Sequence, residues 1–184
     1  MPVDSVALRP AGSDPDDVGF LWAMLLHAAH AGDEISSPEG LRSVPELARY
    51  VEGWGRPGDV GVIASVAGEP VGAAWVRRLV GPGRGYGWVD DATPELAIAV
   101  MPGREGHGIG GALLRRLLAD LDGTVPAVSL SVRGDNPARR LYARVGFVEV
   151  DGSDVGNRVG GTSLTMVRRY EGGGVGEAPG GGPV

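Results

Sequence analysis

ELAIAVMPGREGHGIGGALLRRLLADL, residues Glu95 to Leu121, decides the fold. Its first six residues are apolar and rich in branched side chains, which predicts a short buried strand. Pro102 and Gly103 end that strand. Gly106, His107, Gly108, Ile109, Gly110 and Gly111 follow as a turn with almost no side chains. Ala112, Leu113, Leu117, Leu118 and Leu121 then recur at helical spacing, with Arg115, Arg116 and Asp120 on the other faces. A glycine-rich turn that opens a helix presents unpaired backbone N–H groups at the positive end of the helix dipole. That arrangement binds phosphate through backbone alone. The stretch therefore predicts a site for a nucleotide-containing cofactor.

Upstream, Val3 to Leu8 reads as a first strand. Asp14 followed by Pro15 is an N-cap with proline at the first helical position. Val18, Leu21, Trp22, Leu25, Leu26 and Ala29 then predict an amphipathic helix ending near Gly32. Ser43 and Glu46 have capping-box spacing, which predicts a second helix over Val44 to Gly53. GVIASVA and VGAAWVRRLV read as two strands joined at Gly68-Glu69. GPGRGYG, Gly81 to Gly87, is a flexible loop placed to rim a binding site. Downstream, AVSLSV (Ala127 to Val132) is a strand. Asn136 and Pro137 start a helix whose apolar face is Ala138, Leu141, Tyr142 and Val145, and Gly146 ends it. FVEV and Thr162 to Arg169 complete the sheet, with GNRVGG as a turn between them. This order predicts one α/β domain over residues 1–170, a mixed sheet of about seven strands with about four helices on its two faces.

With 184 residues, one domain is expected, and a domain of that size buries roughly 70% of its unfolded surface. Net charge is −6 and no basic stripe is present, which argues against a nucleic-acid partner. There is no cysteine, so disulfides, thiolate metal sites and a cysteine nucleophile are excluded. The longest apolar run, from Phe20, is too short to span a bilayer, and Asp14, Asp16 and Asp17 precede it where a signal peptide carries positive charge. A cytoplasmic protein without a membrane partner is the expectation. Seven of the 33 glycines fall in the last 14 residues, EGGGVGEAPGGGPV, so residues 171–184 are expected to form a disordered tail.

Gly106, Gly108 and Gly111 also match G-x-G-x-x-G, and Asp135 stands where a dinucleotide site wants an acid. A dinucleotide-binding oxidoreductase is therefore one reading. Against it, Met101 to Glu105 separate the strand from the first glycine, and a β-α-α-β-β module precedes the unit.

The other reading pairs two segments. The first is Val100 to Leu114, VMPGREGHGIGGALL. The second is Asn136 to Phe147, NPARRLYARVGF. In this order, with this topology, they resemble the GNAT superfamily of acyl-CoA-dependent N-acetyltransferases over about Val3 to Arg169. The family's alanine three residues after the asparagine is here Arg139, and Ala138 lies one position earlier. The resemblance implies a mostly antiparallel sheet with a central, splayed parallel pair. It implies direct transfer of an acetyl group from acetyl-CoA to a primary amine of a small molecule or peptide, with no metal. A homodimer is compatible with it, as many relatives are dimers. A non-catalytic acyl-CoA-binding module on the same fold is the alternative.

Residue by residue, the resemblance implies that Gly106, His107, Gly108, Ile109, Gly110 and Gly111 hold the pyrophosphate. The family's Arg or Gln before these glycines is here Glu105, so either Glu105 turns away or Arg104 replaces it. Pantetheine would bond the backbone of Ala99, Val100 and Met101, with the N–H of Val100 or Met101 as oxyanion donor. Tyr142 matches the family's general acid. Asn136, as cap or cofactor contact, and Arg139 complete the cofactor set. Glu95, Asp90 and Asp91 are candidates for the base, and Trp75, Tyr86 and Trp88 for the walls of an acceptor pocket.

Overall fold

The structure is a computed structural model and describes residues 5–29, 35–156 and 160–171. The expected tail from 172 onward, the start of the first strand, the end of the first helix and the middle of GNRVGG lie outside the described residues.

Eight strands form one sheet: β1 (Val6–Pro10), β2 (Val60–Val66), β3 (Glu69–Arg77), β4 (Glu95–Val100), β5 (Ala127–Arg133), β6 (Val148–Glu149), β7 (Val155–Gly156) and β8 (Thr162–Arg169). Their order is β1-β2-β3-β4-β5-β8-β6, with β7 also paired to β8. Every pairing is antiparallel except β4 with β5. That parallel pair has one register pair, Glu95 with Ser129, so the two strands part towards their C-terminal ends.

Among the described residues five α-helices flank the sheet: α1 (Pro15–Ala28), α2 (Pro38–Arg42), α3 (Pro45–Ala48), α4 (Ile109–Leu121) and α5 (Arg139–Arg144). The Asp14 side chain caps α1 by accepting the Asp17 N–H at 3.1 Å. The helix expected over Val44 to Gly53 is the shorter α3, and the unexpected α2 precedes it. Ser37 caps α2, Ser43 closes it, and Val44 at the head of α3 has no side-chain cap. Pro45 begins α3 without a capping box because its missing N–H needs no partner there.

Two apolar layers sandwich the sheet. On one face Leu113, Leu114, Leu117, Leu118 and Leu121 of α4 and Tyr142 of α5 pack on Val62, Ala64, Ala74, Leu96 and Leu130. Burying each such leucine contributes about 1.5–3 kcal/mol. On the other face Leu21, Trp22, Leu25, Leu41 and Leu47 of α1 to α3 pack on Ile63, Ala73, Trp75 and Ala97. Alternation along β4 therefore gives Leu96, Ile98 and Val100 to the α4 face and Glu95, Ala97 and Ala99 to the α1 face.

Candidate active site

The turn before α4 is built by glycine. Gly106 and Gly108 have φ of +77° and +79°, a region a side chain disfavours. Gly108 is the N-cap of α4 and offers no side-chain cap, and the first turn carries no acidic residue. The first amides of α4 are thus left for an external acceptor. Glu105 does not occupy that space: its carboxylate folds back and accepts the Gly103 N–H at 2.7 Å. His107 folds back too, its Nδ1 2.8 Å from the Glu105 carbonyl oxygen.

A cavity of about 1550 Å³ begins at this turn and passes through the parted ends of β4 and β5. Arg104, Glu105, Gly106, Gly108, Ile109, Gly110 and Gly111 line its α4 end. Ala99, Val100, Asn136 and Tyr142 line the middle. Leu25, Leu47, Tyr50, Tyr86 and Glu95 line the end on the α1 face.

Backbone polarity in the gap follows from the β3 ladder. Val71 and Met101 fall in register with the Gly72–Val100 pair, and the Met101 N–H donates to the Val71 carbonyl at 2.8 Å. Alternation then turns the N–H groups of Ile98 and Val100 to the β5 side, where the strands have parted. Met101 is thereby corrected as an oxyanion donor, since its amide is taken, and its side chain packs with the α1-face cluster.

Tyr142 stands on α5 against Phe147, ring edge to face at 6.0 Å. Burial pushes its phenol up to about 12, so it is held protonated. Asn136 uses Oδ1 to accept the Ala138 N–H at 2.8 Å, so α5 begins at Arg139, two residues later than expected. Arg139 is a correction. Its guanidinium donates to the Gly134 carbonyl at 2.6 Å and pairs with Glu149, bracing the loop to β6, and it does not line the cavity. His107 does not line it either.

At the other end, Glu95 is 3% exposed. Its Oε1 accepts the Tyr50 hydroxyl at 2.6 Å and the Gly87 N–H at 2.8 Å, whereas buried Oε2 has no hydrogen-bond partner. Burial raises this carboxyl to about 7, against the opposing pull of the two hydrogen bonds. Asp90 and Asp91 are differently employed. Asp90 accepts the Ala92 and Thr93 amides, Asp91 accepts the Trp88 indole N–H, and neither lines the cavity. Of the three expected aromatics Tyr86 lines the cavity; Trp75 is wholly buried and Trp88 stacks under Arg84.

The sequence reading missed Tyr50. It lies 45 residues from Glu95 and is set by β3: the Trp75 indole donates to the Tyr50 carbonyl at 2.9 Å. Arg77, paired with buried Asp59 at 2.6 Å, donates to the carbonyls of Arg49, Glu52 and Gly53. No sequence signal marked Tyr50; its segment is tied to Glu95 through Arg77, which stands beside Glu95 across the β3–β4 ladder.

The dinucleotide reading fails on topology, because such a site sits on a parallel sheet and this one has a single parallel pair. Comparison with known proteins agrees. The mycothiol acetyltransferase of Kineococcus radiotolerans is 36% identical over 149 residues, 77% of this chain and 42% of the relative. A GCN5-like protein acetyltransferase of Mycobacterium tuberculosis is 33% identical over 106 residues, 50% of this chain and 48% of the relative. This chain thus spans less than half the length of these relatives. Among solved structures, yncA of Salmonella typhimurium, with its cofactor acetyl-CoA, superposes with a TM-score of 0.69 at 21% identity, covering 94% of this chain and 99% of that one. The acetyltransferase (GNAT) family matches residues 22–147, more than half of the chain. Backed by the splayed β4–β5 pair and the uncapped α4 turn, that match places the chain in the GNAT acetyltransferase family.

Proposed function

We propose that this chain transfers an acetyl group from acetyl-CoA to a primary amine by direct attack. The observation that carries the reading is the single cavity joining the uncapped turn of α4 to Glu95 through the gap in the sheet. The pyrophosphate lies on the amides of residues 108–111, with Arg104 as the cation beside it in place of Glu105. Pantetheine runs along the parted edge of β4 and brings the thioester to Val100. The Val100 N–H donates to the carbonyl oxygen as it becomes an oxyanion.

The acceptor enters from the α1 face. Its ammonium loses a proton to Glu95, whose affinity near neutrality lets it accept at physiological pH, directly or through a water. The nitrogen attacks the thioester carbon and the C–S bond breaks. Tyr142 stands on the α5 side to protonate the departing thiolate, and the proton that the nitrogen sheds on becoming an amide restores the phenol. Its phenol, near 12, is a weaker acid than a thiol at about 8.5, so it serves by position rather than by strength. The names of relatives span mycothiol, ribosomal-protein alanine and spermidine acetyltransferases, which supports an amine acceptor of small-molecule or peptide kind.

Calorimetric titration with acetyl-CoA, beside free-thiol release over a panel of amines, tests this. Binding together with amine-dependent thiol release is expected. Binding with no release on any amine would leave a non-catalytic acyl-CoA-binding module, and no binding would end the reading.

A further inference from the structure

Glu95 is gripped on one oxygen and bare on the other, and the grip comes from two separate segments. The Tyr50 hydroxyl donates to Oε1 at 2.6 Å and itself accepts the Tyr86 N–H at 3.0 Å. Gly87 adds its own N–H to the same oxygen at 2.8 Å. The loop comes this close because Gly85 and Gly87 carry no side chains. A Cβ on Gly85 would lie 2.0 Å from Oε2 of Glu95, and one on Gly87 would lie 2.5 Å from the Leu130 carbonyl carbon. Among the described residues, the Tyr50 side chain thus joins the α3 exit, the Gly85–Gly87 loop and the carboxylate.

We propose that Tyr50 is a positioning residue of the acetyl-transfer reaction: by holding Oε1 and the loop together it fixes Glu95 so that Oε2 alone takes the acceptor's proton. This rests on the reading of Glu95 as base. The other groups facing the carboxyl have separate employment or no charge. Arg77 beside it on β3 is bound by Asp59 and three carbonyls. Arg49 donates to the Arg84 carbonyl and pulls on Glu95 through space. Ser129 across on β5 and Thr93 just before β4 are neutral, and their buried hydroxyls make no hydrogen bond. His27 of α1 and Tyr86 of the loop are the remaining titratable side chains in the cavity wall on that face among the described residues.

The hydroxyl of Tyr50 stabilises the charged form of Glu95, so Tyr50→Phe must raise the proton affinity of the carboxyl. The acid limb of kcat/KM against pH should move up by about one unit. At pH 7 that lowers kcat/KM about five-fold, and at pH 9 the variant should match the wild type within about two-fold. Acetyl-CoA affinity should not change. A purely structural Tyr50 would lower activity at every pH without moving the midpoint, and superimposable midpoints would overturn the proposal. A carbon-13 titration of the Glu95 carboxyl in both proteins needs no acceptor, so it reads Tyr50 even if no amine is turned over. An unshifted carboxyl there overturns the positioning role, whereas a shifted carboxyl with no turnover of any amine supports the contact and sinks the transferase reading instead.

Discussion

The two ends of the cavity are built on opposite plans. At the α4 end the proposed phosphate-binding groups are backbone amides in an exposed turn, contributed by consecutive residues, and the Glu105 and His107 side chains fold back. At the Glu95 end the proposed base is one buried carboxyl, held by residues 50 and 87 brought in from two other segments. The first plan is local and tolerant of its surroundings. The second exists only once the β2–β3–β4 sheet and the α3 exit have formed. Anion binding needs many weak, fixed dipoles. Proton transfer needs one group whose affinity is tuned by removal from water.

Each end can be broken separately, and four outcomes are expected. Glu95→Gln should lower kcat about 1000-fold, measured as thiol release with saturating amine and acetyl-CoA. The same position makes stability pH-dependent. Glu95 binds its proton more tightly folded, at about 7, than unfolded, at 4.5, so unfolding releases a proton between those values. Stability therefore falls as pH rises through that window, by about 3 kcal/mol. Denaturant unfolding at pH 5 and pH 8 should show this slope in the wild type and its loss in Glu95→Gln. Tyr142→Phe should lower kcat about 100-fold at constant acetyl-CoA affinity; unchanged turnover would remove Tyr142 from the mechanism. Gly108→Val forces a branched side chain to φ near +79° at the turn and should weaken acetyl-CoA binding roughly 30-fold by calorimetry.

The same contrast explains what the sequence disclosed. The strand, turn and helix over Glu95–Leu121 were legible because their signals are contiguous, and so was the Asp14–Pro15 start of α1. Ser43 and Glu46 misled because the capping-box pattern is satisfied by spacing alone, whereas Ser37 and the prolines set the real helix starts. Strand β7 escaped notice since two exposed residues leave no alternation to read. The choice among Glu95, Asp90 and Asp91 was open in the sequence. Burial of Glu95, and the local amides and indole that occupy the two aspartates, support Glu95 in the proposed mechanism. Tyr50 could not be found at all, as nothing near it in sequence signals a partner 45 residues away. Arg139 matched no alanine because it serves the loop before α5 rather than the cavity.

In the proposed function, cofactor binding and proton removal reside at opposite ends of one cavity. Titrating acetyl-CoA into the wild type, Glu95→Gln and Gly108→Val tests it most directly. Glu95→Gln should bind as tightly as the wild type while Gly108→Val should bind far more weakly. Equal binding by all three, or loss of binding in Glu95→Gln, would contradict it.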